Sequence, residues 1–209
     1  MVSALLKHLN SCPARVKRIR RSIIAVVVLL GFGRCALALS PALDASQYAH
    51  TAWRTEEGFA RGRIQSITQT ADGYLWLGTQ LGLFRFDGVR TVAWQPPQGQ
   101  SLPDSHIRSL LGARDGTLWI GTFAGLARLR GDRLTSYPQL EGWFINTLLE
   151  DRQGIVWASA QRTTIPFTRL CAISRDGVRC EGDDGRFGQW VTSLHESDKG
   201  DLWVEAATG

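Results

Sequence analysis

Four residues whose side chains could bind a ligand occupy one repeated position in this 209-residue chain. Arg63, His106, Phe144 and Trp190 each directly precede a short segment that begins with Ile or Val and recurs along the sequence. A guanidinium, an imidazole and two aromatic rings can hold a sugar or another polar organic molecule by stacking and by hydrogen bonds. The other interpretation is that these side chains cap strands or pack against the next part of the fold.

Two further residues extend this candidate site. Trp143 adds a second aromatic ring beside Phe144, and Arg162 lies in an enlarged loop, residues 161–167, that we expect to project over the same face. The predicted partner is an unknown small molecule or a glycan.

Signals for catalysis are weak. The histidines after the N-terminal segment, His50, His106 and His195, do not follow an H-E-x-x-H pattern. The sequence also contains no C-x-x-C pair and no G-x-S-x-G segment. We therefore predict no catalytic residue, no metal site and no cofactor within these 209 residues.

A repeat organises the chain from residue 64 onward. The segment 72–79, Asp-Gly-Tyr-Leu-Trp-Leu-Gly-Thr, returns at 115–122 as Asp-Gly-Thr-Leu-Trp-Ile-Gly-Thr, and shorter versions follow twice. The predicted structural positions of the repeat are its tryptophans and its turn glycines: Trp76, Trp119, Trp157 and Trp203, with Gly73, Gly116, Gly154 and Gly200.

Each copy predicts short strands separated by turns. Residues 64–69 alternate apolar and polar side chains as a half-buried strand does. Four strands per copy and a period of about 42 residues are typical of a propeller blade. We therefore predict an all-β fold, a partial β-propeller over residues 61–209 made of four-stranded antiparallel blades. Four blade repeats lie near residues 64–94, 107–137, 145–181 and 191–209, and the last is incomplete.

The repeated motif, Asp-Gly-x-Leu-Trp-[Leu/Ile]-Gly-Thr-x-x-Gly-Leu-x-Arg, is very similar to the two-component regulator propeller repeat. The resemblance extends over about residues 47–209, and the first two copies match at nearly every position. It implies the exported sensor region of a bacterial histidine kinase, a hybrid two-component protein or a diguanylate cyclase. In that family, seven-bladed propellers are typically followed by a β-sandwich domain, one transmembrane helix and a cytoplasmic signalling module.

The resemblance implies that this chain is an extracytoplasmic ligand-sensing propeller of a two-component sensor, with a histidine kinase as the expected parent. Its implied partners are downstream domains of the same longer chain and, through the parent, a second copy in a dimer. One alternative is a stand-alone periplasmic binding or scaffold propeller. Another is the sensor region of a diguanylate cyclase.

Four copies, the last incomplete, are too few to close a seven-bladed ring. An unclosed propeller exposes the edges of its sheets. We therefore expect the chain to be the N-terminal portion of a longer sensor or a truncated product. The alternative is a genuine four-bladed propeller in which an N-terminal strand completes the last blade.

The charge is concentrated at the N-terminus. The whole chain carries a formal charge of +5, but residues 39–209 contain 17 basic and 19 acidic side chains. Residues 1–38 combine a basic stretch, a short apolar run and Ala36-Leu37-Ala38, which is the order of a secretory signal peptide. A membrane anchor is the alternative for this segment. We predict export to the periplasm and a parent protein anchored in the inner membrane. A lead-in segment follows at 39–60. The charge of the remaining chain gives no reason to expect a nucleic-acid partner.

Two cysteines remain after the predicted signal peptide. Cys171 and Cys180 flank a strand–turn–strand pattern with Asp176-Gly177 at its tip. This spacing places them opposite each other on neighbouring strands, and the periplasm permits oxidation. A cross-strand disulfide and two unpaired cysteines both remain open.

Overall fold

The computed structural model describes residues 53, 59–162, 164 and 167–207. The predicted signal peptide or anchor at 1–38 and most of the lead-in segment at 39–60 lie outside the described residues. Among the described residues, no helix has the length and apolar character needed to cross a bilayer.

Antiparallel meanders of short strands make up the described chain. The first blade contains β1 (Ile64–Gln69), β2 (Leu75–Thr79), β3 (Gly82–Phe86) and β4 (Thr91–Ala93). The second contains β5 (Ile107–Gly112), β6 (Leu118–Thr122), β7 (Gly125–Arg130) and β8 (Arg133–Ser136). The third contains β9 (Phe144–Glu150), β10 (Val156–Gln161), β11 (Thr168–Ser174) and β12 (Gly177–Glu181). A fourth, two-stranded sheet contains β13 (Trp190–Glu196) and β14 (Leu202–Ala207), and a single 3-10 turn, Pro138–Leu140, precedes β9 in the described part.

Each sheet is ordered as its strands follow in the chain, so every strand pairs with its sequence neighbour. The predicted fold class, propeller blades of four antiparallel strands with an incomplete fourth repeat, is confirmed.

The first turn of every blade has the same geometry. The N–H groups of the four repeat glycines each donate to the carbonyl oxygen three residues earlier, at 2.9–3.0 Å. All four glycines have φ between 80° and 88°, a left-handed conformation that residues with a Cβ rarely adopt. This turn explains why the motif carries glycine at this position in every copy: Gly73, Gly116, Gly154 and Gly200.

The repeat tryptophans pack against the following blade. Trp76 lies in a core cluster with second-blade residues such as Leu118 and Leu129, and Trp119 lies in one with third-blade residues. Both are nearly inaccessible, with 5% and 6% of their surface exposed. Trp157 is partly buried in a cluster with residues of β13 and β14, whereas Trp203 is 65% exposed. The tryptophan therefore stabilises the interface between one blade and the next.

Arginines at the first turn reinforce two of these interfaces. Arg114 pairs with Glu150 of the third blade, and its backbone N–H donates to the same carboxylate at 2.8 Å. The backbone N–H of Arg152 donates to Glu196 of the fourth sheet at 2.9 Å. Its Nη1 also donates to the carbonyl oxygen of Asp198 at 2.6 Å. The same contact thus recurs from blade two to three and from three to four.

Aromatic residues from the lead-in segment cover one end of the first blade. Trp53 stacks against Phe59 with ring centroids 5.9 Å apart, and both rings meet Phe86 edge-on at 5.1 Å. Ala60 is buried beside Leu77 of β2. These contacts attach the described residues of the lead-in segment to the blade.

The two cysteines face each other across β11 and β12. Cys171 pairs with Cys180 in the strand register, their Cα atoms are 4.0 Å apart, and a disulfide joins them. Such a short Cα separation is typical of a non-hydrogen-bonded pair, where side chains come closest. The bond links the outermost strand of the third blade to its neighbour.

Replacing Trp119 with alanine should lower the free energy of unfolding by about 3–5 kcal/mol, because the change opens a cavity between two blades. Trp203→Ala is the matched control, since it removes the same side chain from the same repeat position where it is exposed. We expect it to cost less than about 1 kcal/mol. Urea denaturation of the two variants measures both values, and equal losses would contradict the role given to the interface.

Removing the disulfide with the double substitution Cys171→Ala and Cys180→Ala should cost about 2–3 kcal/mol, because the unfolded chain loses a covalent constraint. Unfolding under oxidising conditions measures the effect. The unsubstituted protein, measured oxidised and reduced, serves as the control and should lose a similar amount of stability on reduction. A reduced protein as stable as the oxidised one would argue against a stabilising bond.

Candidate functional site

The strand that begins each blade carries one extra residue near its start. Gln65, Arg108 and Thr192 each stand between two paired residues without a partner of their own in the neighbouring strand. In β9, Asn146 and Thr147 together oppose a single residue of β10. Such a β-bulge bends a strand and redirects a side chain, and it is common beside functional sites. The bulge also corrects the simple alternation predicted for 64–69, because it inserts a residue into the pattern.

Three of these bulge residues meet across the blades, and we call Gln65, Arg108 and Asn146 the polar belt. Arg108 Nη1 donates to Gln65 Oε1 at 2.9 Å, and Arg108 Nε donates to Asn146 Oδ1 at 3.0 Å. Asn146 Nδ2 then donates to the carbonyl oxygen of Val191 at 2.7 Å. The belt therefore connects all four sheets through one continuous series of hydrogen bonds.

His106 joins this belt to the loop that precedes β5. Gln65 Nε2 donates to His106 Nε2 at 2.7 Å, an arrangement in which this ring nitrogen is the acceptor. The backbone N–H of His106 donates to Asp104 Oδ1 at 2.7 Å, which positions the loop. Gln65 thus holds the imidazole, and Asp104 holds the backbone of the same residue.

A row of rings crosses the same face of the blades, and we call His106, Phe123, Phe144 and Trp190 the aromatic row. His106 and Phe123 stack with centroids 3.9 Å apart. Phe123 meets Phe144 edge-on at 4.5 Å, and Phe144 meets Trp190 edge-on at 5.9 Å. Edge-on and offset geometries are those that aromatic pairs prefer. Phe123 and Trp190 remain 41% and 42% exposed.

Two cavities open beside the aromatic row. The smaller, about 280 Å³, lies between the second, third and fourth blades and is lined by Phe123, Gly142, Phe144, Gln161, Arg162, Thr164 and Trp190. The larger, about 520 Å³, lies at the start of the first three blades and is lined by Arg63, Ile64, Gln65, Gln80, His106, Arg108, Phe123 and Asn146. Phe123 borders both.

Five of the six predicted site residues line these cavities, in two groups. Arg63 and His106 lie at the larger cavity, and Phe144, Arg162 and Trp190 lie at the smaller one. The linings of the two cavities therefore combine residues at the starts of first strands with residues at the turns between second and third strands.

Trp143 occupies a different place from the one predicted. It is only 4% exposed and lines neither cavity. The guanidinium groups of Arg162 and Arg169 lie 4.5 and 4.6 Å from its ring centroid. Arg162 also donates to the carbonyl oxygen of Glu141 at 2.8 Å. The ring of Trp143 therefore packs against the guanidinium of Arg162 and is not accessible to a ligand.

Phe144 and Trp190 also differ from the prediction in their strand position. Each is the first residue of its strand, because Phe144 pairs with Gln161 and Trp190 pairs with Ala207. Pairing with the neighbouring strand extends the ladder by one residue, which places Gln161 in β10 and not in the enlarged loop. Phe144 is half-buried, so the packing interpretation holds in part for it, whereas Trp190 is exposed.

Sequence reasoning missed Phe123 and the polar belt. Phe123 stands in the short turn between β6 and β7, where the first blade has Gln80. An aromatic residue in an otherwise polar turn was the available signal. For the belt, the signal was a polar residue after the first apolar residue of each copy, at Gln65, Arg108 and Asn146.

Within the described ranges, no three His, Cys, Asp or Glu side chains lie close enough together to hold a metal ion. The site instead offers exposed ring faces, a guanidinium held by amide groups, and a second guanidinium above a buried indole. These groups can bind an organic molecule by stacking and by hydrogen bonds.

Comparison with known proteins supports the repeat assignment. Residues 58–80 and 101–124 match the family model described as two component regulator propeller. The predicted resemblance is confirmed at these two segments, which include the first turns and the strands β1, β2, β5 and β6. No curated protein matches the chain.

Solved structures share the fold at low sequence identity. The extracellular domain of BT4673 from B. thetaiotaomicron, described as a hybrid two-component system, is 21% identical with a TM-score of 0.53, over 68% of this chain and 19% of that one. The corresponding domain of BT3049 is 15% identical with a TM-score of 0.50, over 74% and 29%. PorZ of Porphyromonas gingivalis, a surface component of a type-IX secretion system, is 14% identical with a TM-score of 0.51, over 69% and 23%. This chain thus spans about a fifth to a third of the structures it resembles.

Replacing Asn146 with alanine should lower the free energy of unfolding by about 1–2 kcal/mol, because Arg108 and the Val191 carbonyl group each lose a partner. Thr192→Ala is the matched control at the same bulge position, where the side chain is exposed. We expect it to change stability by less than about 0.5 kcal/mol. Thermal unfolding of both variants measures the two losses of stability. Equal losses would contradict a stabilising role for the hydrogen bonds of the belt.

Proposed function

We propose that this chain, with its two-component regulator propeller repeats, is the ligand-sensing region of an exported two-component sensor. The repeat matches at 58–80 and 101–124 support this role. The similarity in fold to extracellular domains of two-component systems is consistent with it. The signal-peptide pattern at residues 1–38 supports an exported, periplasmic location. In this proposal the chain is part of a longer protein whose kinase or cyclase module lies elsewhere, and the chain itself performs no chemistry.

The aromatic row is the observation that carries the proposal. Phe123 and Trp190 keep about two-fifths of their surface exposed beside the same cavity. Large exposed rings at a cavity are costly to leave in water and are typical of recognition surfaces. Arg162 and Gln161 add polar groups at the edge of this cavity. A small molecule or glycan that stacks on the rings would bury this apolar area.

The position of the site also supports a sensing role. The walls of the smaller cavity come from the second, third and fourth sheets, so a bound molecule would contact several blades at once. A ligand shifts an equilibrium between two arrangements only when it binds them with different affinity. A site shared between blades has this property, because a change in blade packing would change its shape. We infer that binding biases the packing against downstream domains in a dimeric parent.

A binding screen tests this function. The full chain is purified and screened by thermal shift against a collection of mono- and oligosaccharides and small organic molecules. A compound that binds should lose about tenfold or more in affinity with Trp190→Ala or Phe123→Ala, since central aromatic contacts carry much of the binding energy. Trp203→Ala, which removes an exposed tryptophan outside both cavities, should leave the affinity unchanged. Binding that is insensitive to Trp190 and Phe123 would place the site elsewhere.

A further inference from the structure

The lining of the larger cavity is positively charged, a property that the aromatic row does not provide. Its polar lining consists of Arg63, Gln65, Gln80, His106, Arg108 and Asn146. Two of these residues are cations, and no aspartate or glutamate is among the described lining residues. The nearest carboxylate in the hydrogen-bond network is that of Asp104, which accepts from the backbone N–H of His106. The cavity therefore presents positive charge to whatever enters it.

Arg108 differs from the arginines at the blade interfaces. Arg114 and Arg152 pair with carboxylates, whereas Arg108 donates hydrogen bonds only to the neutral amides of Gln65 and Asn146 and lies 5.2 Å from the centroid of the Phe144 ring. It forms no ion pair with any carboxylate among the described residues. A guanidinium has five N–H donors, and the belt uses two of them. The Nη2 group has no hydrogen-bond partner among the described residues.

The amide partners hold Arg108 in place without neutralising it. A half-buried guanidinium without a counter-ion is costly in solvation, and an arriving anion removes much of this cost. The planar group suits a carboxylate, because two parallel N–H groups can bind its two oxygens. Gln65 and Asn146 fix the plane of the group before binding, which lowers the entropy lost when a ligand binds. These features are those of a preformed anion site.

Phe123 defines the rest of the ligand. Its ring borders both cavities, stacks on His106, meets Phe144 edge-on, and still keeps 41% of its surface exposed. A molecule with its charged group at Arg108 would therefore find the exposed part of this ring in the lining of the same cavity. The chemistry that fits is a carboxylate attached to a ring.

We propose that the larger cavity binds the carboxylate of a small ring-bearing organic acid, with Arg108 as its anchor and the ring against Phe123. This inference rests on the proposed sensing function and adds the chemical class of the ligand. A sugar acid and an aromatic acid both present this chemistry. Arg63, which is exposed at the cavity edge, contributes charge without being part of the belt.

The test compares each acid with its neutral amide by calorimetry on the full chain. The sugar arm uses galacturonate and galacturonamide, and the aromatic arm uses para-hydroxybenzoate and para-hydroxybenzamide. We expect at least one acid to bind about tenfold or more tightly than its amide, because only the acid pairs with the guanidinium. A preference for the acid in the sugar arm would identify a sugar ring in the ligand, and a preference in the aromatic arm would identify an aromatic ring. Acids and amides that bind equally would overturn the proposal.

Variants locate the anchor. Arg108→Lys keeps the charge but loses the planar fork, and we expect it to reduce the affinity for the acid about tenfold with little change for the amide. Arg63→Gln should weaken acid binding severalfold and leaves the belt intact, so it remains informative if Arg108→Lys fails to fold. Arg133→Gln, at an exposed arginine outside both cavities, is the control and should have no effect. Acid binding that is unaffected by both cavity variants would overturn the assignment of Arg108 and Arg63.

The two proposals fail in different ways. Neutral sugars that bind with dependence on Trp190, while acids bind no better, would leave the sensing function standing and overturn the acid site. A folded protein that binds none of the acids, amides or screened compounds would count against both.

Discussion

The burial of a repeat tryptophan against the following blade, at Trp76 and Trp119, stabilises the described structure, because a twisted sheet has two faces that only its neighbours can cover. Trp76 and Trp119 are buried at such an interface, whereas Trp203, at the same position of the repeat, is largely exposed. The arginine contacts to Glu150 and Glu196 repeat along these interfaces. The distances between the residues that line the two cavities depend on this packing, since these residues come from different blades.

The bulge at the start of each first strand is the second constraint. A regular strand would continue its alternation, whereas the bulge inserts a residue, and in three blades that residue joins the polar belt. The belt holds Arg108 between two amides without a carboxylate partner. At Arg108 the strand departs from regular alternation, and a partly buried charge has no oppositely charged partner among the described residues. Natural proteins tolerate such departures mainly at functional sites.

Most of the fold could be predicted from the sequence, but only part of the site could. Local patterns are sufficient for the strands and turns, because backbone preferences involve a few neighbouring residues. Trp143 was assigned to the surface because its type and position resemble those of Phe144, yet two arginines cover its ring. Phe123 was missed as a site residue. It stands in a two-residue turn, and a side chain there can point toward solvent or across to another blade. Neither outcome is encoded in the adjacent residues.

The sequence by itself determined the repeat, the turn glycines and the all-β architecture, because the motif recurs with a regular period and each turn needs a positive φ. Only the tertiary structure decided which side chains meet. Arg108 is 43 residues from Gln65 and 38 from Asn146, and these three residues are brought together by the bulges and by the packing of successive blades. Contacts over such separations depend on the packing of whole sheets, which no short segment of sequence specifies.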